Sequence, residues 1–146
     1  MRMRILIQHE PFDLVREMEE LSREGVGAVA TFIGHVRAEE GLEALIVEHY
    51  PGMTEREIAR HAEEAARRWT LLGVTVIHRV GELKPGEPIV LAAVAAAHRG
   101  DAFAACEFLM DHVKTRATFW KQQRRPGQTV WLDANPADDE RAERWK

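Results

Sequence analysis

The chain is poor in the residues that most often announce a self-sufficient catalytic or metal site. Cys106 is its single cysteine, which rules out an internal disulfide and is compatible with a reducing cytoplasm. Ser22 is its single serine, with no histidine beside it in sequence, so a serine nucleophile finds no support. The seven histidines (9, 35, 49, 61, 78, 98 and 112) include no pair with zinc-like spacing to a second ligand group. Neither GxGxxG nor GxxxxGK[ST] occurs. No apolar run approaches the ~20 residues that cross a bilayer, and the three apolar residues in a row within MRMRILIQHE are too few for a secretory h-region. A surplus of positive charge is missing too. The net charge is −4, so the molecule as a whole does not attract nucleic acid or an anionic membrane, and any anion site must be local. A cytoplasmic protein is expected.

What is present reads as an ordinary globular composition, 45% hydrophobic and 30% charged. A chain of 146 residues is most simply one domain, 1–146, large enough to fold without a disulfide or metal staple. Residues 3–8 read as a strand. A helix follows from Pro11, with Leu14, Met18 and Leu21 at helical spacing and Gly25 as its stop. Residues 27–33 and 43–50 read as strands, the second ended by Pro51-Gly52. Thr54 and Glu57 have the form of a capping box for a helix whose buried face carries Ile58, Ala62, Ala65 and Trp69. Residues 73–80 alternate as a strand, 84–87 form a turn, and the apolar run 88–97 reads as a central strand buried on both faces.

Asp101 is a plausible N-cap for a long amphipathic helix, with Phe103, Cys106, Met110, Val113, Ala117 and Trp120 as its buried stripe. A last strand is expected at 129–132, and 136–146 as a mobile or partner-docked tail. The order of elements mixes hairpins with crossovers. It points to an α+β domain with a mixed or antiparallel sheet and a long helix in the C-terminal third.

Lys114 and Lys121 stand seven positions apart on that expected helix. Seven residues turn it through about 700° and advance it about 10.5 Å, so both amines leave one face. The pair fits stems that snorkel along the core edge. It also fits an anion site with a lysine that works as an acid or base. Two charges about 10 Å apart repel by roughly 1.7 kcal/mol, too little to free a lysine of its proton near neutral pH, so the second possibility needs a cluster. His98-Arg99 follows the most apolar strand, either as a polar cap or as an anion clamp. Gly34 could permit a tight turn that aims Arg37 inward. Cys106 lies on the apolar stripe and reads as core.

Five phrases, in order, carry a resemblance: FIGHVR (32–37), EHYPGMTE (48–55), RWTLLGVTVIHRVGEL (68–83), AAHRGDAF (96–103) and MDHVKTRATFWK (110–121). Together they resemble the MoaE family, the large catalytic subunits of molybdopterin synthase. The resemblance implies an α/β-hammerhead fold and a heterotetramer, in which two large subunits dimerise and a small ubiquitin-like sulfur carrier docks at each end. It implies that the carrier's Gly-Gly C-terminus, activated as a thiocarboxylate, delivers two sulfurs to cyclic pyranopterin monophosphate to give the dithiolene of molybdopterin. No resident cofactor or metal is implied.

Position by position, Lys114 and Lys121 match the family's active-site lysines, while Arg37, His98 and Arg99 match substrate-binding residues and Phe32 and Met110 match pocket-lining ones. Asp133-Ala134-Asn135 departs from an acidic-Ala-Arg pattern, so an expected arginine is absent and Arg124 or Arg125 would have to stand in. A non-catalytic adaptor that docks a ubiquitin-like partner is the alternative. A nucleic-acid-binding domain using Arg124, Arg125 and exposed tryptophans is a weaker one, opposed by the net charge.

Overall fold

In the computed structural model, which describes residues 1–115, 119–132 and 136–146, the chain runs β1 (Arg2–Gln8), α1 (Leu14–Leu21), β2 (Ala28–His35), β3 (Ala44–His49), α2 (Met53–Arg68), β4 (Leu71–Arg79), β5 (Gly81–Leu83), β6 (Pro88–Ala96), α3 (Arg99–Thr115), β7 (Phe119–Arg125), β8 (Gln128–Trp131) and α4 (Pro136–Glu143). The strands form two four-stranded sheets, ordered β1-β4-β6-β2 and β5-β3-β7-β8. Among the described residues, β1 and β4 pair in parallel and the other pairings are antiparallel. This is the mixed α+β architecture expected of the chain.

The apolar run becomes β6, held between β4 and β2 with every residue after Pro88 buried. Its lack of alternation has a direct cause, because each face has its own core. Val90, Ala92, Val94 and Ala96 join the large cluster with Ile58, Phe108 and Leu109 of α2 and α3. Leu91, Ala93 and Ala95 join a smaller one with Leu21 and Ile77, against which Leu14 and Met18 of α1 pack. The second sheet closes the large core through Leu45, Val47 and Leu83.

Several expectations need correction. α1 starts later than Pro11, because the Asp13 side chain caps it by accepting the Arg16 N–H at 3.2 Å. Thr54 is not the cap of α2. Gly52 holds that place with φ 85°, its N–H donating to both Glu55 carboxylate oxygens at 3.2 Å, while Thr54 is buried and its Oγ1 accepts from the Tyr50 N–H. Asp101 lies in the first turn of α3, which already begins at Arg99. Of the expected stripe, Cys106, Met110 and Val113 are buried, but Phe103 is 67% exposed. Ala117 lies outside the described residues.

The largest correction is to the long helix. It ends at Thr115, and Trp120 and Lys121 belong to a strand, β7, paired antiparallel with β3. The strand β5 was also not foreseen.

The segment 136–146 is not a free tail. It carries α4, which lies on α3 of its own chain. Asp111 of α3, 6% exposed, accepts hydrogen bonds from Trp145 Nε1 (2.7 Å), Arg144 Nη2 (2.9 Å) and Arg141 Nε (3.1 Å). The Trp145 indole stands edge-on to Trp69 and Phe108. Burial pushes the Asp111 carboxyl up, but the three donors and the nearby Arg141 charge outweigh it and hold the group below the ordinary aspartate range.

Asp111→Ala is therefore expected to free the C-terminal segment, to cost about 1–3 kcal/mol, and to speed tryptic cleavage at Arg141 and Arg144. Wild-type cleavage rates in the variant would refute the clasp. In the wild type its stabilisation is present above the unfolded aspartate pKa and lost as pH falls through the lower folded one, so the segment should come loose only in acid, which hydrogen exchange of its backbone amides reads.

Candidate active site

A cleft of about 550 Å³ opens where the end of β2, the last turn of α3 and the start of β7 meet. Phe32 and Gly34 come from β2, Arg37 from the loop after it, Met110 and Lys114 from α3, and Phe119 and Lys121 from β7. Gly34 has a packing role there and does not make a tight turn. A Cβ on it would stand 2.8 Å from Val90 Cγ1, and the β2–β6 register slips between Gly34 and His35, so the chain turns off the sheet edge just before Arg37.

Lys114 and Lys121 do come together, though not by helical periodicity. Lys114 is exposed on the last turn of α3, and Lys121 is half-buried on β7 opposite Val47. Burial, followed by the charge of Lys114, holds the Lys121 ammonium below the ordinary lysine pKa, while Asp138 of α4 pulls the other way. Among the described residues, Arg37, Lys114 and Lys121 form no ion pair. Of the two carboxylates on the cleft wall, Asp138 and Glu39, the second is engaged by Arg125 at 2.7 Å.

His98 and Arg99 do not reach this cleft. They are exposed at the opposite end of α3, fifteen residues or about 22 Å of helix before Lys114. Arg124 and Arg125 do not line it either, because they are held by Glu82 and Glu39. Residues 133–135, where an arginine was missed, lie outside the described residues.

His78 joins the site without any motif that marks it in sequence. It sits in β4, 3% exposed, and lines the cleft floor. Its Nδ1 is 2.7 Å from the Arg79 carbonyl oxygen, which can only accept, so Nδ1 carries the proton and Nε2 keeps a lone pair. The Phe119 ring stacks on it at 3.9 Å and 21°. Burial pushes the imidazole down to about 3, a hydrogen bond to Arg79 opposes this, and Lys121, His49 and Lys114 lower it further. In sequence His78 is marked only as a histidine that ends the β-like segment Val74–Ile77. Cys106 is core, as expected. Its Sγ–H donates to the Ala92 carbonyl, and burial pushes the thiol up to about 11.

Three cations without ion-pair partners among the described residues, on walls that mix apolar and polar side chains, in a cleft of this volume, suit a small anionic molecule, and the domain around it is a two-sheet α+β scaffold. The family model described as MoaE protein matches residues 7–116. A molybdopterin synthase catalytic subunit of Cereibacter sphaeroides is 52% identical over 98% of this chain and 100% of its own length. One from Mesorhizobium japonicum is 50% identical over 97% and 92%. The solved structure of molybdopterin cofactor biosynthesis protein E from Burkholderia multivorans superposes with a TM-score of 0.86 at 46% identity, covering 99% of this chain and 97% of that one. The chain belongs to the MoaE family.

A buried ammonium with a depressed pKa opposes folding. That cost is full below the folded-state pKa and fades as pH rises toward the ordinary lysine range. Lys121→Met should therefore raise the melting temperature at neutral pH by a few degrees, about 2–4 °C for each 1 kcal/mol, with the gain shrinking in alkali. An unchanged or lowered melting temperature at pH 7 would contradict this.

Proposed function

We propose that the chain is the catalytic large subunit of molybdopterin synthase, moving sulfur from the C-terminal thiocarboxylate of a small ubiquitin-like subunit onto cyclic pyranopterin monophosphate. The observation that carries this reading is the convergence of Arg37, Lys114 and Lys121, from a loop, a helix end and a strand, in one cleft. The substrate carries a cyclic phosphate and the sulfur donor is an anion, so both are drawn to the same positive field. Arg37 supplies a planar fork for phosphate, while Phe32 and Met110 offer apolar surface to the pterin.

Lys114, exposed at the cleft mouth, is placed to meet the incoming thiocarboxylate carbonyl. Lys121, whose pKa is lowered, can hand a proton to the oxygen that leaves when the cyclic phosphate opens. The roles of His98 and Arg99 need a second copy of the chain. In a dimer of large subunits, the start of α3 in one copy can complete the cleft of the other, which the ~22 Å span within one copy forbids.

Two experiments test this. Mass spectrometry of the pterin after incubation with the chain and a thiocarboxylated small partner should show two added sulfurs. Lys114→Ala should abolish them while partner binding persists, whereas wild-type turnover by that variant would favour the adaptor. Mixed dimers of Lys114→Ala and Arg99→Ala, each inactive alone, should recover about one quarter of wild-type turnover, because half the dimers carry one intact site. No recovery would place Arg99 outside the partner's cleft.

A further inference from the structure

Resting on the sulfur-transfer reading above, we propose that His78 is a positioning residue that presents Nε2 as an acceptor in the cleft floor and orients the Lys121 amine toward the reacting atoms. Three independent constraints define its imidazole. The Arg79 carbonyl oxygen, 2.7 Å from Nδ1, fixes the tautomer and leaves Nε2 as the acceptor. The Phe119 ring, stacked at 3.9 Å, fixes the plane. The strand fixes the neighbour, because Phe119 and Lys121 are two residues apart on β7 and leave it on the same face. The stack that seats β7 on His78 therefore puts Lys121 on the face of β7 that looks onto the imidazole, both line the cleft, and the Lys121 charge acts on His78.

The charged groups that feel it come from every side of the cleft: Lys121 on β7, Lys114 on α3 and His49 on β3. Arg37 and Asp138 line the same cavity. His35 and Glu39 line it as well, the latter paired with Arg125. All but the carboxylates Asp138 and Glu39 are cationic or become so on protonation, so a second proton on His78 would add one more positive charge to a crowded site. Burial keeps that proton off across the working pH range. A neutral acceptor holds an ammonium or amine without neutralising it, which a carboxylate in the same place would not do.

His78→Asn and His78→Gln separate this role from a structural one. The asparagine amide falls near Nδ1 and can keep the Arg79 bond, but it leaves nothing at Nε2. The glutamine amide oxygen reaches the Nε2 position. With the complete synthase and thiocarboxylated partner, His78→Asn should lower kcat by about tenfold to a hundredfold with KM within about twofold, and His78→Gln should stay within a few-fold of wild type. Full activity in His78→Asn overturns the proposal, and so does a His78→Gln no better than it.

Should either variant fail to fold, ¹⁵N NMR of the wild-type imidazoles decides. Nε2 of His78 should be unprotonated from pH 6 to 8 and its resonance should move in Lys121→Met. A protonated or unmoved Nε2 refutes the contact. This readout needs no turnover, so it stands apart from failure of the sulfur-transfer reading, which would show as no sulfurated product from the wild type.

Discussion

β7 returns onto β3 with Lys121 opposite Val47 and Phe119 opposite His49, and the cleft depends on that pairing. Val47 is 1% exposed, so the register of β3 is set by the core, and β7 inherits it residue by residue. A slip of one position would turn Phe119 and Lys121 away from the cleft and put Trp120 and Gln122 in their place. The Phe119–His78 stack adds a contact between the two sheets, because His78 belongs to β4 and Phe119 to β7. Helix end, strand and imidazole are thus assembled around one cavity from positions far apart in sequence.

The electrostatics follow from how the remaining charges are used. The chain is acidic overall, yet several carboxylates are engaged elsewhere: Glu17 with Arg4, Glu64 with Arg67 and Arg68, Asp111 with Arg141 and Arg144, Glu39 with Arg125. Most of these pairs are exposed and individually weak. Their collective effect is to keep counter-ions away from Arg37, Lys114 and Lys121, with Asp138 as the opposing charge on the wall. A positive field can then persist inside a negatively charged molecule.

α4 closes this arrangement from the C-terminal side. Its anchor, Asp111, lies one helical turn before Lys114 on α3, so the contact that holds α4 also braces the helix end that carries the lysine. α4 in turn brings Asp138 to the cleft wall. His98 and Arg99 stand exposed at the other end of α3, away from the floor and two walls that this cleft draws from one chain.

Much of the framework was legible from residue order. β6 could be read from its unbroken apolar run, the buried face of α2 from the spacing of Ile58, Ala62 and Ala65, and the turn at 84–87 from Pro85 and Gly86, because burial periodicity and backbone preference are local properties. The phrases shared with the family mark Arg37, Lys114, Lys121, Phe32 and Met110, and all five line the cleft. Their geometry was not legible. Residues 110–121 keep a helix-compatible pattern throughout, and nothing local says that the segment 119–125 pairs with β3. Strand pairing is a long-range contact that overrides weak local propensity. The tail looked polar and free because its anchors, Asp111 and Trp69, are 34 and 76 residues away from Trp145. His78 looked like one more strand residue, since only the fold stacks it on Phe119 and sets it in the cleft floor. Local chemistry was set by the order of residues, and which groups meet was set by the pairing of distant segments, which no short window of sequence encodes.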